Sequence, residues 1–505
     1  MTTTNGLTNG KVSTMTNDHT RNSDMNGNNS EAVPVTHLLA TFAASAKTTD
    51  LTSEIREKCK EVLLDFIGVT VGAITHADST PPIITAISAL QGPTVTTATP
   101  GTCIVLGLGP PAYLPHYAGL LNAALGHSLD FDDTYAPGTL HAGVTAISAA
   151  LACYESLASI GEQRSADDVF LAISIGYEIT CRLGRELGYA AYSRGFHNTS
   201  TGGIFGAIAT IARLRRLPAS TIASAFGLAG SKASGSMQYL ANGSWNKRLH
   251  PGFAVHDAFM CVALAEAGVI GASGAIEGET GGFLQAYTPS QDVSLERLVG
   301  RLGEEWCWLA SSLKPYPACR MTHGFIEMSG RIHDSAVKPN GTLALDQISN
   351  IHMTMSPANY ILIGNPTPNK VHPTNTIDAQ FSAYFQVANT LVHGAKTGDM
   401  SPYTRLASPV IHALSEKITV TTDGTMKGFA ARMRIVWADG RKEEIEQQFP
   451  LGEVEHPFTK DKVREKFMSL AEPVYGPEKS VRITEMVEKL DSGDQDVMSL
   501  IRLLR

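Results

Sequence analysis

A dense polar run stands out in an otherwise apolar part of the chain, between His127 and Thr134. Within it, Asp130, Asp133 and Thr134 are spaced i, i+3 and i+4, which predicts that they share one face at the C-terminal end of a helix. Carboxylates there interact unfavourably with the helix macrodipole, and residues that lower stability in this way are typical of a functional site. His141 follows after a Pro-Gly turn and adds a group that titrates near neutral pH. The alternative is a solvated helix end with turn-forming aspartates and a capping histidine.

A second histidine, His197, lies in the segment GFHNTSTGGIFG at the start of a helical pattern. Backbone N–H groups at such a helix start can bind a carboxylate, and the imidazole beside them can donate or accept a proton. The alternative is structural, with Thr199 or Ser200 as the N-cap and the glycines allowing close packing. The segment matches neither the phosphate-binding loop nor the dinucleotide fingerprint, so it does not predict a nucleotide site.

Positively charged residues occur in two further motifs. Lys247 and Arg248 lie just before a helix of small residues, in NKRLHPGFAVHDA. Lys314, Cys319 and Arg320 lie in KPYPACRMTHG, where the helical pattern gives way to a mixed one. Such cations supply local positive potential for an anionic ligand, whereas the alternative is exposed lysines and a buried spectator thiol.

The composition limits which ligands these residues meet. The chain has 505 residues, 43% of them hydrophobic, and a formal net charge of −8, which is typical of a globular protein with a large core. That charge excludes a general attraction to nucleic acid or to an anionic membrane, so neither partner is predicted. The seven cysteines form no CxxC pair, which argues against a zinc ribbon or an iron–sulfur motif and predicts reduced thiols. No run of about 18 apolar residues and no targeting segment is recognised, so we expect a cytoplasmic protein, with a mitochondrial location left open.

These motifs need elements that bring them together. Apolar residues recur at helical spacing from Val35 to about Ala272, and the helices are rich in alanine and glycine. From about Ser311 the pattern alternates as in strands, with a hairpin turn at Asp439-Gly440 and an amphipathic helix between the strands. The sequence therefore predicts a mostly α protein with a smaller α+β part. The predicted boundaries are a disordered polar tail (1–33), a large helical domain (34–309), an α+β lid domain (310–453) and a C-terminal return to the helical domain (454–505).

Four motifs, taken in order, resemble those of one protein family. DFDDTYAPGTLHAG, GFHNTSTGGIFG, NKRLHPGFAVHDA and KPYPACRMTHG look like the motifs of the MmgE/PrpD family, which holds 2-methylcitrate dehydratases and cis-aconitate decarboxylases. The resemblance implies a homodimer of two-domain subunits, with a helical domain built from both ends of the chain and a smaller α+β lid. It also implies an active site between the domains that needs no metal or other cofactor. Carried over by motif, the decarboxylase site residues fall on Asp130, Thr134, His141, His197, Lys247 and Lys314.

The resemblance implies a small citrate-derived tricarboxylate as substrate, and two reactions suit the candidate residues. Dehydration of a 2-alkylcitrate removes a proton beside a carboxylate and expels hydroxide, so it needs acid–base groups and fixed cations. Decarboxylation of cis-aconitate to itaconate needs the same groups, because cations stabilise the carbanion left by carbon dioxide and a histidine protonates it. We assign acid–base work to His141 and His197, charge stabilisation to Lys247 and Lys314, and substrate binding to the remaining candidates, Asp130, Thr134, Arg248, Cys319 and Arg320.

The sequence departs from the decarboxylases of this family at a few positions. Cys319 stands where the animal enzymes have a histidine, Ala142 replaces a frequent proline, and the lid tyrosine has no exact counterpart, since Tyr360 lies only nearby. Because of these departures we predict dehydration of a 2-alkylcitrate, with decarboxylation of cis-aconitate as the alternative. An aconitase-like iron–sulfur hydratase and a catalytically inactive binding protein on the same fold are two further alternatives.

Overall fold

The computed structural model describes residues 34–93, 95–96, 99–289, 293–336, 345–493 and 496–505, so the predicted disordered tail, residues 1–33, lies outside the described residues. Helices of ten or more residues extend over Val35–Ser45, Ser53–His76, Thr80–Gln91, Pro115–Ser128, Gly143–Ser159, Ala166–Ser193, Gly203–Leu214, Ala219–Ala229, Asn246–Glu266, His323–Ala336, Ala383–His393, Lys460–Tyr475 and Pro477–Glu488. Shorter α-helices extend over Asn198–Thr201, Phe283–Tyr287, Leu295–Val299, Pro357–Asn359, Pro368–Val371, Thr376–Gln380, Pro409–Ser415 and Val497–Leu503. The strands of the described chain are Ile348–Met355, Ile418–Thr422, Ala431–Trp437 and Lys442–Gln447. These elements confirm the predicted fold class, mostly helical with a smaller α+β part.

The strands form one mixed sheet in the α+β part of the chain. Ile348–Met355 lies between Ile418–Thr422, which is parallel to it, and Ala431–Trp437, which is antiparallel. Lys442–Gln447 pairs with Ala431–Trp437 across the predicted hairpin. Alternate residues of the central strand are buried and share a hydrophobic core with the helix Ala383–His393, as the period-two spacing requires.

Glycine lets two helices beside the site approach closely, as the small-residue composition predicts. A Cβ atom added at Gly252, in Asn246–Glu266, would lie 2.8 Å from the backbone oxygen of Leu120, in Pro115–Ser128. That separation is shorter than van der Waals contact, so a larger residue would force the helices apart. The end of the first helix and the start of the second are therefore held at a fixed distance.

A helix near the C-terminus packs against the first long helix. Lys460–Tyr475 lies along Ser53–His76, and within this contact Lys466 Nζ lies 2.6 Å from Asp65 Oδ1. Both side chains are almost completely buried. The domain boundaries proposed from the sequence stay predictions.

The polar run after Pro115–Ser128 does not continue the helix, so the predicted helical face is wrong. Asp130 has a φ of 50°, a left-handed conformation that aspartate tolerates better than most residues. Thr134 forms an isolated β-bridge with Ser312 instead of a helical turn. Asp130, Asp133 and Thr134 therefore lie on an irregular loop.

Two further helix predictions change in detail. The helix Asn246–Glu266 already contains Lys247 and Arg248 in its first turn, rather than beginning after them. The predicted amphipathic helix of the α+β part is divided into Thr376–Gln380 and Ala383–His393.

Within the described ranges, no single helix is long and apolar enough to cross a bilayer. The pair Ser53–His76 and Thr80–Gln91 meets the length and composition criteria only when both halves, which meet at 99°, are taken together.

Candidate active site

A cavity of about 60 Å³, partly open to solvent, brings the sequence motifs together. It is lined by Asp130, Thr134, Tyr135, Ala136, Thr139, Leu140, His141, Tyr192, His197, Lys247, Lys314, Cys319, Arg320, Met321, Phe381 and Phe429. The lining therefore includes every predicted site residue except Arg248. The four motifs, which are far apart in sequence, meet at this cavity.

Two buried lysines converge on Asp130. Lys247 Nζ donates a hydrogen bond to Asp130 Oδ1, and Lys314 Nζ lies 3.3 Å from the same oxygen. Burial disfavours the charged carboxylate, but the two ammonium groups outweigh burial and hold the pKa of Asp130 below its ordinary value. One carboxylate faces two cations, so this part of the cavity keeps positive potential for an anionic ligand.

Side chains from distant segments hold the loop that carries Asp130. The backbone oxygens of residues 129, 130 and 131 accept hydrogen bonds from Gln380 Nε2, Lys314 Nζ and Lys466 Nζ respectively, each at 2.7 Å. Gln380 comes from the α+β part and Lys466 from the C-terminal helix Lys460–Tyr475. These bonds satisfy carbonyls that would otherwise be buried without a partner.

His141 and His127 share a buried carboxylate, that of Asp132. Asp132 Oδ2 lies 2.7 Å from His127 Nδ1 and 3.3 Å from His141 Nδ1, and the two ring centroids are 4.7 Å apart. Burial lowers the pKa of His141, and that of His127 to about 3, while the carboxylate partly offsets this effect. Asp132 therefore gives His141 a fixed partner that stabilises an imidazolium when one forms.

His197 has a different environment from His141. It is the N-cap residue of Asn198–Thr201, and its Nδ1 lies 3.1 Å from His250 Nδ1. Burial lowers its pKa well below the ordinary value, and the nearby His127, His250 and Lys247 add to the shift. No carboxylate contacts the ring among the described residues, so His197 is neutral near pH 7.

The two hydroxyls proposed as caps of this helix have other roles. Thr199 Oγ1 accepts a hydrogen bond from the backbone N–H of His141, at 3.0 Å. Ser200 Oγ donates to the backbone oxygen of His250, also at 3.0 Å. They connect the histidine segments to one another rather than starting the helix.

The remaining predicted binding residues differ in how free they are to contact a ligand. Thr134 Oγ1 lies 3.0 Å from Ser312 Oγ. Cys319 lines the cavity, and burial raises the pKa of its thiol. Arg320 Nε donates to Glu453 Oε1 at 2.5 Å, so its charge is already paired with a carboxylate.

Arg248 does not line the cavity. Its guanidinium donates to Asp78 Oδ1 and, at 2.8 Å, to Ser79 Oγ. Adjacent residues of an α-helix project about 100° apart, and here Lys247 lines the cavity whereas Arg248 contacts Asp78 and Ser79. The substrate contact predicted for Arg248 stays a prediction, and the cavity lining does not include this residue.

Asp133 is a buried carboxyl group to which the sequence assigned no role in the site. Its Oδ1 accepts the backbone N–H of Gly143 at 3.1 Å, and a Cβ atom added at Gly143 would lie only 2.3 Å from that oxygen. Burial raises the pKa of Asp133 to about 8, helped by the nearby carboxylates of Asp132 and Asp65. The group is thus protonated at neutral pH.

We expect Asp133→Asn to flatten the pH dependence of stability. Between the ordinary pKa of 3.8 and about 8, the folded protein holds a proton that the unfolded chain has lost. The stability contributed by this group therefore falls as pH rises, by at most about 1.4 kcal/mol per pH unit. Asparagine keeps the acceptor for Gly143 but cannot ionise. Thermal melts across this range measure the effect, with Asp439→Asn at an exposed turn as the control, and equal slopes in wild type and Asp133→Asn would contradict it.

Some of these residues have the spacing of metal ligands. One ligand atom from each of His127, His141 and His197 lies within 4.8 Å of the others, and the same holds for Asp130, Asp132 and His141. Imidazole and carboxylate groups suit a divalent cation of the first transition row. The metal-free site expected from the sequence stays a prediction. Within the described ranges neither group contains a cysteine, so the iron–sulfur alternative has no thiolate cluster to support it.

Three residues contact His141 or His197 but were not among the predicted site residues: His127, Asp132 and His250. For His250 a signal was present, because it follows Lys247 by three residues on the same helix and so shares its face. His127 and Asp132 belong to the polar run itself, but only the fold shows which of its side chains point toward His141.

Comparisons with known proteins give matches to one family over most of the chain. The model of the MmgE/PrpD N-terminal domain matches residues 37–296, and that of the MmgE/PrpD C-terminal domain matches residues 316–492. A cis-aconitate decarboxylase of Aspergillus terreus is 28% identical over 491 residues, which cover 93% of this chain and 96% of the relative. The cis-aconitate decarboxylase-like protein oryM of Aspergillus oryzae is 26% identical, covering 93% and 97% of the two chains. The cis-aconitate decarboxylase of Mus musculus is 24% identical, covering 93% of each.

Proposed function

This chain belongs to the MmgE/PrpD family, and from that premise we propose that it is a lyase that decarboxylates cis-aconitate or a closely similar unsaturated tricarboxylate. The names of its relatives favour decarboxylation over the dehydration of a 2-alkylcitrate that the sequence alone led us to prefer. Dehydration remains the second candidate, because both reactions use cations and an acid at the same place.

The convergence of Lys247 and Lys314 on Asp130 is the observation that carries this proposal. A tricarboxylate brings several negative charges to a protein whose net charge is −8, so only local cations can attract it. Both ammonium groups are fixed in place before the substrate arrives. Preorganised charges in a site with little water stabilise developing anions better than mobile solvent does.

In the proposed reaction the two lysines and His141 have different roles. The bond between carbon and the departing carboxylate breaks, carbon dioxide leaves, and the electron pair spreads over the allylic carbons and the remaining carboxylate. Lys247 and Lys314 stabilise that negative charge. His141, as an imidazolium paired with Asp132, then donates a proton to carbon and regains one from water.

The test is to incubate the protein separately with cis-aconitate, 2-methylcitrate and a longer 2-alkylcitrate, and to identify the products by mass spectrometry. We expect cis-aconitate to lose carbon dioxide and, in heavy water, to gain one deuterium on carbon. Lys247→Met should abolish this turnover, whereas Lys232→Met, at a lysine paired with Asp257 outside the cavity lining, should not. Water loss from an alkylcitrate without decarboxylation would establish the second candidate, and binding of these acids without turnover would establish an inactive binding protein.

We also propose that the chain forms a homodimer, as the family resemblance implies. Phe253, Met260 and Leu264 are spaced i, i+7 and i+11 on one face of Asn246–Glu266, and 48%, 47% and 40% of their surfaces are exposed. An apolar stripe of this kind on a helix is typical of an interaction surface. The same helix carries Lys247, so a second copy at this stripe would also fix the position of that lysine.

Met260→Glu is expected to convert the dimer to a monomer, because a charge would have to be buried at the interface. Light scattering after size-exclusion chromatography measures the mass. Ile160→Glu, which alters an isoleucine of 60% exposure elsewhere, is the matched control and should leave the mass unchanged. A Met260→Glu variant with the wild-type dimer mass would place the interface on another surface.

A further inference from the structure

His250 contacts His197 but is not one of the residues that line the cavity. The two Nδ1 atoms are 3.1 Å apart, and both residues are more than nine-tenths buried. His250 is held by the hydrogen bond that Ser200 Oγ donates to its backbone oxygen. Because Nδ1 of His197 contacts His250, Nε2 is the ring nitrogen of His197 that remains for a ligand in the cavity.

A hydrogen bond between two Nδ1 atoms allows only two arrangements when both rings are neutral. If His250 donates, His197 carries its proton on Nε2 and presents a donor to the cavity. If His197 donates, its Nε2 has a lone pair and presents an acceptor. The direction of this one bond therefore decides what His197 can do.

The charges around His197 favour the first arrangement. Lys247 and Lys314 attract an anionic ligand, whose carboxylate oxygens are acceptors and would be repelled by a lone pair on Nε2. The charged or titratable groups nearest His197 are Lys247 and the histidines 127, 141 and 250. Burial lowers the pKa of His250 to about 4, with Lys247 adding to the shift, so His250 is neutral near pH 7 and has one proton to donate.

We propose that His250 is a positioning residue that donates from its Nδ1 to His197 and thereby holds His197 as a neutral Nε2–H donor to a substrate carboxylate. This inference rests on the proposed function and deepens it, because it separates the roles of the two site histidines. His197 stabilises negative charge on the acid by a hydrogen bond, and His141 supplies the proton. A neutral imidazole suits the first role, since it cannot lose its proton to the intermediate as easily as an imidazolium would.

The matched pair His250→Asn and His250→Asp tests the direction of the bond. Both side chains place an atom close to the position of His Nδ1, but only the asparagine amide can donate to His197, whereas a carboxylate can only accept. At about pH 8 we expect kcat/KM of His250→Asn to stay within roughly 10-fold of wild type and that of His250→Asp to fall by about 100-fold or more. The aspartate variant should recover as pH is lowered, because protonated His197 again has a proton on Nε2.

A purely structural role would affect both variants alike, so equal losses with equal pH profiles would overturn the proposal. An aspartate variant at least as active as the asparagine variant at about pH 8 would reverse the direction of the bond. If wild type turns over none of the acids, the proposed function fails, and the inference is then tested by calorimetry with tricarballylate. In that case His250→Asp should bind about 10-fold or more weakly than His250→Asn, and equal affinities would refute the donor role.

Discussion

Replacing Lys314 with methionine is expected to lower kcat/KM for cis-aconitate by about 10²–10³-fold. Lys314 Nζ donates to the backbone oxygen of Asp130 at 2.7 Å and lies 3.3 Å from its carboxylate, while being almost completely buried. Methionine keeps most of the side-chain volume but removes the charge, which leaves Lys247 as the single cation opposite Asp130. The negative charge that develops as carbon dioxide leaves would then lose one of its two fixed counter-charges.

Steady-state kinetics on purified protein measure the loss, and thermal melts show that the variant is folded. Lys232→Met is the matched control, since Lys232 pairs with Asp257 and does not line the cavity. We expect the control to stay within about threefold of wild type, as surface charge pairs contribute little. A folded Lys314→Met variant with wild-type kcat/KM would show that this cavity does not carry the reaction.

The global fold follows from the spacing of apolar residues, but the loop around Asp130 does not. The helical pattern of Pro115–Ser128 continues in the sequence to about Phe131, whereas the helix ends at Ser128 and Asp130 is left-handed. Gln380, Lys314 and Lys466 bind the carbonyls of residues 129–131 and replace the intrahelical partners. These side chains lie far away in sequence, so a local pattern cannot show that they bind this loop.

Residue types and the order of the motifs are sufficient to predict part of the site. The sequence identified His141, His197 and Lys247, and the structure places them around one cavity. The sequence also identified Arg248, because it does not show which of two adjacent cations projects toward the site. That becomes clear only when the helix is known to begin at Asn246. Lys247 and Arg248 project from the helix axis in different directions, and only Lys247 lines the cavity.

Partners of the histidines were harder to predict, because hydrogen bonds across the core depend on packing. Asp132 is one of three aspartates in four positions, and the sequence cannot tell that Asp130 faces the lysines while Asp133 faces Gly143. Only the left-handed turn at Asp130 and the irregular path after it separate the three carboxyl groups. The carboxyl group of Asp130 is thus ionised beside the lysines, that of Asp132 is ionised beside the histidines, and that of Asp133 is protonated.

Asp132→Asn is expected to lower kcat for the decarboxylation by about 10³–10⁴-fold, as the loss of a carboxylate that orients and stabilises a catalytic imidazolium does elsewhere. Asp132 Oδ2 lies 2.7 Å from His127 Nδ1 and 3.3 Å from His141 Nδ1, so the asparagine removes the negative charge from both rings. Asp133→Asn alters the next residue in the same way, yet its carboxyl is already neutral, so kcat should stay within a few-fold of wild type.

The pH profile distinguishes the electrostatic role of Asp132 from a change in the geometry of the site. Burial lowers the pKa of His141 and Asp132 partly offsets that shift, so removing the carboxylate lowers the pKa further. If protonated His141 is the acid, kcat falls as pH rises through its pKa, and in Asp132→Asn this decline must begin at a lower pH than in wild type. Rates between about pH 5 and 9 measure the shift. A decline at the wild-type pH, with only the amplitude reduced, would mean that Asp132 holds the ring in place but that another group delivers the proton.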